Sequence, residues 1–242
     1  MLRRPPLLIA AVLICTMMSG PAFATALTQA EKRAVEILGP GKVLGYRDVC
    51  RVQKVELPKT EPTMPFSEDV LRECAKANAQ GANWRLVYVT GHSLRQECEV
   101  MGWDQKKQPW FDRPDSIWWF DKAQDSWATQ TIAPGYRLLD FTKRFSSLPW
   151  QDQTSEIAKL GPNFERAEEQ AVAEICFSNF LLSPNNERLL ADWYHWGRSQ
   201  SSYGYHVYVG FFDQRGLVVG GVGGDWGVLP VSCLGVVVAR KP

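Results

Sequence analysis

Between Trp193 and Val238 the chain is built of short apolar and aromatic runs separated by glycine-rich turns. Tyr205 to Phe212 is the clearest run. Successive strand side chains alternate, so Tyr205, Val207, Val209 and Phe211 project one way, and His206, Tyr208, Gly210 and Phe212 the other. The valines mark the first face as core. Asp213-Gln-Arg-Gly216 reads as a hairpin turn, with Gly216 able to take positive φ, and Leu217-Val-Val219 as the returning strand. Gly220 to Gly227 holds five glycines and reads as an exposed loop. Leu234-Gly-Val-Val-Val238 is almost wholly apolar and reads as a buried closing strand. A chain patterned this way ends in a β-rich unit. The Tyr, Trp, Arg, Ser and Gly crowding its start are residues that recognition surfaces favour.

Upstream, the signals are mixed. Thr28-x-x-Glu31 is a capping box followed by Ala30, Ala34, Val35 and Leu38 at helical spacing, with Gly39-Pro40-Gly41 as the stop. Val43 to Val55 has strand character. Ser67 caps a second helix that runs to Gly81, with Glu68 and Asp69 in its first turn. Trp84 to Thr90 is a strand, Ser93 to Met101 a short helix, Ser116 to Phe120 a buried strand, and Trp127 to Ile132 its partner. Beyond Pro134-Gly135 come a strand at Tyr136–Phe141 and helices at 152–160 and 164–182. These elements define an α+β chain, with a soft boundary near residues 125–134.

The N-terminus reads as a secretory leader over residues 1–24. Arg3 and Arg4 precede a short apolar run, and Ala22-Phe23-Ala24 is a small-x-small cleavage site. Ile14 before Cys15 is too bulky for lipoprotein processing. The expected product is exported to the periplasm, cell surface or medium, with no integral membrane span after cleavage. Without Arg3 and Arg4 the formal charge of +1 falls to about −1, which argues against nucleic acid and anionic membranes as partners. Of six cysteines, Cys50, Cys74, Cys98, Cys176 and Cys233 follow the leader, an odd number in a compartment that permits disulfides. Spacing does not fix the pairing; Cys50 with Cys74 and Cys176 with Cys233 is the preferred guess, leaving Cys98 free. There is no C-x-x-C, and three scattered histidines do not form a metal cluster. No cofactor or metal is expected.

The order Gly135-Tyr-Arg-Leu, amphipathic helices, Trp-x-x-Gly-Arg-Ser, V-x-V-G-x-F-D-x-x-G-L-x-V and a terminal L-G-V-V-V-A-R-K resembles the C-type-lectin-like fold. The nearest variants are bacterial proteins related to the formylglycine-generating-enzyme superfamily and to the variable proteins diversified by retroelements. The likeness covers residues 130–242. It implies two helices packed on short antiparallel sheets, preceded by a smaller α+β region at 25–129 of no recognised family. It also implies a ligand-binding face formed by Tyr194, Arg198, Gln200, Tyr203, Tyr205, His206, Tyr208, Phe212, Arg215 and Trp226. The calcium-lectin triplets are missing, since Ser183-Pro184-Asn185 lacks the acid, and so is the close cysteine pair of the formylglycine-generating enzymes. Neither activity carries over.

The leading expectation is therefore an exported binding protein with a protein or glycan ligand and no catalytic residues. A competing one is a periplasmic or secreted hydrolase with a carboxylate or Cys-His site. Asp112, Asp115, Asp121 and Asp125 lie among Trp110, Trp118, Trp119 and Trp127, a texture also found in sugar-processing clefts. A third is an immunity-type inhibitor of a secreted toxin. His195, between Tyr194 and Trp196, reads as a packed histidine rather than a catalyst. Trp193, Trp196 and Phe211 are expected in the core, and Tyr203, Tyr208 and Trp226 at the surface.

Overall fold

The computed structural model describes residues 27–103, 107–112, 126–222 and 231–242. The leader, the Ser116–Phe120 strand, Asp115, Asp121, Asp125 and the loop segment with Trp226 lie outside the described residues. Within them the chain is α+β, with six helices and an eight-stranded sheet.

The first elements are α1 (Gln29–Leu38), β1 (Val43–Leu44), α2 (Tyr46–Val52), α3 (Glu68–Ala79), β2 (Trp84–Val89) and α4 (Leu94–Met101). The caps read from sequence form. Thr28 and Ser93 each close a capping box, with Glu31 and Gln96, and Ser67 accepts the Val70 N–H. Glu31 does more than cap. It is buried, and its carboxylate accepts from the Thr28 N–H, from the Tyr46 N–H at 2.8 Å and from the Tyr136 hydroxyl at 2.8 Å. One side chain thus ties α1 to α2 and to a strand more than a hundred residues away.

The expected strand at Val43–Val55 is corrected: only Val43–Leu44 is extended, and Tyr46–Val52 is helical. Val49, Val52 and Val55 are three apart, which is one face of a helix rather than of a strand.

The later elements are β3 (Gly135–Arg144), α5 (Trp150–Lys159), β4 (Phe164–Arg166), α6 (Glu169–Leu182), β5 (Tyr194–Gln200), β6 (His206–Asp213), β7 (Gly216–Val222) and β8 (Leu234–Arg240). Trp127–Ile132 forms no strand; Trp127 and Ala128 are buried in a turn. The expected helix at 164–182 begins five residues late, because Phe164–Arg166 pairs with β8. The rest, α6, is buried on nearly every side, including Glu169, Gln170, Glu174 and Asn179. Such a helix belongs at the centre of the molecule.

The sheet order is β1-β2-β3-β8-β5-β6-β7, with β4 also on β8. Pairing is mainly antiparallel; β1 with β2 and β5 with β8 are parallel. β2 pairs along its whole length with β3, so the stretches on either side of 129/130 share one sheet. They also share one core, from Ala34 through Leu86, Leu138 and Ile175 to Val238. β8 is central, with β3 on one side and β4 and β5 on the other.

The hairpin at Asp213–Gly216 forms with Gly216 at φ 118, but β7 continues through Gly220 to Val222, so Gly220 and Gly221 belong to the strand rather than to the expected loop. The alternation of β6 also breaks. Between Gly210 and Asp213 the register shifts, and Phe211 takes φ 46. One extra residue on the strand moves Phe212 to the core side and Phe211 off it. Phe212 is fully buried against Phe177 and Phe180 of α6, so it is not a face residue. Phe211, expected in the core, is half-buried.

The five cysteines are free thiols, so neither guessed disulfide forms. Cys50, Cys74, Cys98 and Cys176 are buried, and Cys233 is half-buried.

Removing the Glu31 carboxylate leaves two backbone N–H groups and one hydroxyl without their acceptor. Glu31→Ala is expected to cost about 3 kcal/mol, measured by urea denaturation. A loss below about 0.5 kcal/mol would show that water replaces the carboxylate there.

Candidate functional site

The outward side of β5 and β6 carries a run of stacked rings. Tyr194 and Tyr208 meet edge-on at 4.7 Å, and Phe211 lies 4.5 Å from Tyr194. Tyr208 fits because Gly220 stands opposite it on β7; a Cβ there would fall 2.4 Å from the Tyr208 hydroxyl oxygen. Next along β6, His206 stacks on Trp150 at 4.2 Å with planes 9° apart, and lies 6.5 Å from Trp196. Trp150 is the first residue of α5. Its indole N–H donates to the Gly197 carbonyl at 3.1 Å, which fixes the ring over β5. At the tip between the strands Tyr203 is 69% exposed and Tyr205 39%, their rings 6.0 Å apart. They are the two most exposed aromatic rings of the described chain, and Gln200 is exposed beside them.

This electrostatic setting favours neutral groups. Burial and the Arg166 charge pull the His206 imidazole down to about 4. Gln200 Nε2 lies 3.2 Å from His206 Nε2, so the amide donates and the neutral ring accepts. Burial, helped by the Tyr208 hydroxyl, pushes Tyr194 up to about 12. The run therefore presents uncharged rings and amide groups.

The structure divides the expected site. Tyr194, Gln200, Tyr203, Tyr205, His206 and Tyr208 share the outward side or its tip. Arg198 is exposed, but its guanidinium already has partners: it pairs with Glu165 at 2.9 Å and its Nε–H donates to the Arg166 carbonyl. Arg215 sits in the β6–β7 turn, paired with Asp213 at 3.1 Å. That turn is at the opposite end of β6 from Tyr205, about 25 Å away at ~3.3 Å per residue. The reason is topological, since a hairpin strand has its two turns at opposite ends. Phe212 is core, and Trp226 is outside the described residues. Trp193 and Trp196 are buried as expected, and Tyr208 is only half-exposed.

His195 is a structural residue. Its Nδ1 accepts the Val237 N–H at 3.0 Å and its Nε2–H donates to the Ala167 carbonyl at 3.2 Å, which fixes one neutral tautomer. Burial, reinforced by Arg166, lowers its pKa to about 3.

A second polar cluster was not legible in the sequence. Glu174 of α6 accepts from the Thr90 and Gly91 N–H groups at the end of β2, and Glu97 of α4 lies 3.3 Å from His92 Nδ1. Both carboxyls are fully buried. Burial pushes both up to about 8, and Glu97 adds to the rise at Glu174. Both are sealed from solvent, so they are protonated structural acids rather than a cleft pair. Among the described residues no cysteine is hydrogen-bonded to a histidine, and burial raises Cys98, with Glu97 and Glu99 adding to the effect. No group of three metal-ligating side chains occurs among the described residues, and no helix there is long and apolar enough to cross a membrane.

No protein-family model matches the chain, and no curated protein or solved structure is significantly similar to it.

The buried acids give a pH prediction. In the unfolded chain Glu97 titrates at its ordinary 4.5, and in the folded protein burial raises it to about 8. As pH rises through that window the unfolded state releases its proton first, so stability falls. Glu97→Gln is uncharged throughout. Relative to wild type it should gain nothing near pH 4 and roughly 5 kcal/mol above pH 8. His195 and His206 are depressed, so their contribution is lost in the opposite direction, as pH falls from 6.5 toward about 3 and 4. That contribution cancels in the difference between variant and wild type. A pH-independent difference in melting temperature would exclude a protonated Glu97.

Proposed function

We propose that this chain is an exported binding protein that recognises a protein or glycan ligand through the tip and outward side of β5–β6. In this reading residues 130–242 are a C-type-lectin-like module. The arrangement that supports it is α5 and α6 leading into the short β5–β7 sheet, with β8 returning beside β3. The observation that carries the binding function is the exposed pair Tyr203 and Tyr205 at the end of the ring run.

The chemistry suits recognition without catalysis. Tyrosine rings supply apolar area with few rotamers to freeze, and their hydroxyls remain available for hydrogen bonds. Gln200 offers a planar donor and acceptor beside them. The stacked Trp150–His206 pair backs the tip with a rigid surface, which lowers the ordering cost of binding. A hydrolytic reading has less support, since the carboxyl pair at Glu97 and Glu174 is sealed and Cys98 is buried. Membership of a diversified set belongs to the same proposal. It requires a neighbouring reverse transcriptase and an imperfect copy of the segment coding for residues 193–238; without them the likeness is one of fold alone.

The test is the double variant Tyr203→Ala/Tyr205→Ala, screened beside wild type on a glycan array and against purified surface proteins. Wild type should bind a defined ligand and the variant should bind at least tenfold more weakly, about 1.4 kcal/mol. Its melting temperature should stay within about 2 °C, because both rings are exposed. Equal binding by the two proteins, or a variant that unfolds, would remove this face as the site.

A further inference from the structure

A cavity of about 260 Å3 lies where the ends of α2 and α4 meet residues 107–109 and the end of α6. Val52, Val100, Met101, Pro109 and Leu181 give it apolar walls. Its charged groups are Arg51, Lys54 and Lys107, all exposed, so solvent reaches its mouth. Among the described residues no carboxylate lines it. Apolar walls under a rim of one charge select both the shape and the charge of an occupant.

The partners of the three cations show how much of that charge is free. Arg51 is paired with Asp48 at 3.0 Å, so it adds little. Lys54 follows α2 with φ 55, and its Nζ donates to the Val100 carbonyl at 3.1 Å, at the end of α4. A helix C-terminus attracts a cation, which accounts for the placement of Lys54. That carbonyl is neutral, and among the described residues no carboxylate pairs with Lys54, so its charge is not cancelled. Lys107 has no ion-pair or hydrogen-bond partner among the described residues. The Gln108 amide is spent, since its oxygen accepts from Arg188 and its nitrogen donates to the Gln214 carbonyl. Two uncancelled cations therefore stand beside apolar walls. They repel amines and metal cations. An inorganic anion would leave the walls unused, whereas an acid with an apolar tail uses both.

We propose that this cavity binds a small organic carboxylate with a compact apolar tail, the carboxylate held by Lys107 and Lys54 and the tail lying against Met101 and Leu181. At the ~30 Å3 that a water molecule occupies in the liquid, the space holds roughly nine non-hydrogen atoms, the size of a short-chain acid. The cavity shares no residue with the ring run of β5 and β6, so either proposal can fail alone.

The experiment is an amide NMR titration of the protein at constant ionic strength with sodium hexanoate, sodium acetate and hexylammonium chloride. The expected result is saturable shifts at the Val100, Met101 and Leu181 amides with hexanoate. Acetate should bind at least about tenfold more weakly, because each buried methylene adds to affinity, and hexylammonium should not bind. Lys107→Gln should weaken hexanoate binding about tenfold, the scale of one charged hydrogen bond, and Lys107→Arg should restore it. Lys107 is exposed and unpaired, so both variants should keep the wild-type melting temperature. Tyr203→Ala/Tyr205→Ala should bind hexanoate as wild type does. Absence of saturable shifts with hexanoate would overturn the site. So would equal affinity for hexylammonium, which would mean an apolar groove blind to charge, or for acetate, which would mean a charged surface without a tail site. Undiminished hexanoate affinity in Lys107→Gln would overturn it as well.

Discussion

The pairing of β8 with three other strands is the constraint on which the rest of the structure depends. Its residues Val236, Val237 and Val238 are fully buried, and its backbone joins β3 on one side to β4 and β5 on the other. Without that pairing the sheet would be two smaller sheets, each with an open edge. The Val237 N–H also donates to His195, and that histidine anchors the Ala167 carbonyl just before α6. The closing strand thus positions both the central helix and the strand that carries the candidate binding side.

Helix α6 brings the second constraint, because its five buried polar or acidic residues, Glu169, Gln170, Glu174, Ser178 and Asn179, need hydrogen-bond partners. Asn179 and Arg85 exchange one hydrogen bond and both reach Glu187. Glu174 takes two backbone N–H groups at the end of β2. Glu169 takes one from β5, and among the described residues its other oxygen has no partner. The polar side chains of this helix therefore fix how the first and second halves of the chain meet.

Part of the candidate site was visible in the sequence and part was not. Tyr203 was legible as a surface ring, but the alternation put Tyr205 on the valine side; β6 begins only at His206, so Tyr205 lies ahead of the strand and is exposed. Phe212 was misplaced, because a bulge adds one residue and inverts the alternation after it. Trp150 was missed altogether: it reaches His206 from a helix more than fifty residues upstream, and nothing local signals the contact. Arg198 and Arg215 were read as ligand donors, yet each has acidic neighbours that claim it. The Glu97 and Glu174 pair had no sequence signature, since two carboxyls on separate helices meet only after packing.

By itself the sequence determined the local elements whose stabilising contacts span three or four residues. The Thr28 and Ser93 capping boxes, the Ser67 cap, the β2 strand and the Asp213–Gly216 hairpin all formed where short-range chemistry placed them. Tertiary structure decided the helical state of Tyr46–Val52, the strand at Phe164–Arg166 and the joining of both halves in one sheet. It also decided the second duty of Glu31 and which aromatic rings face outward. The physical reason is range. Caps and turns are satisfied within one turn of chain, whereas strand partners and buried carboxyls are chosen by whichever distant groups burial brings within hydrogen-bonding distance.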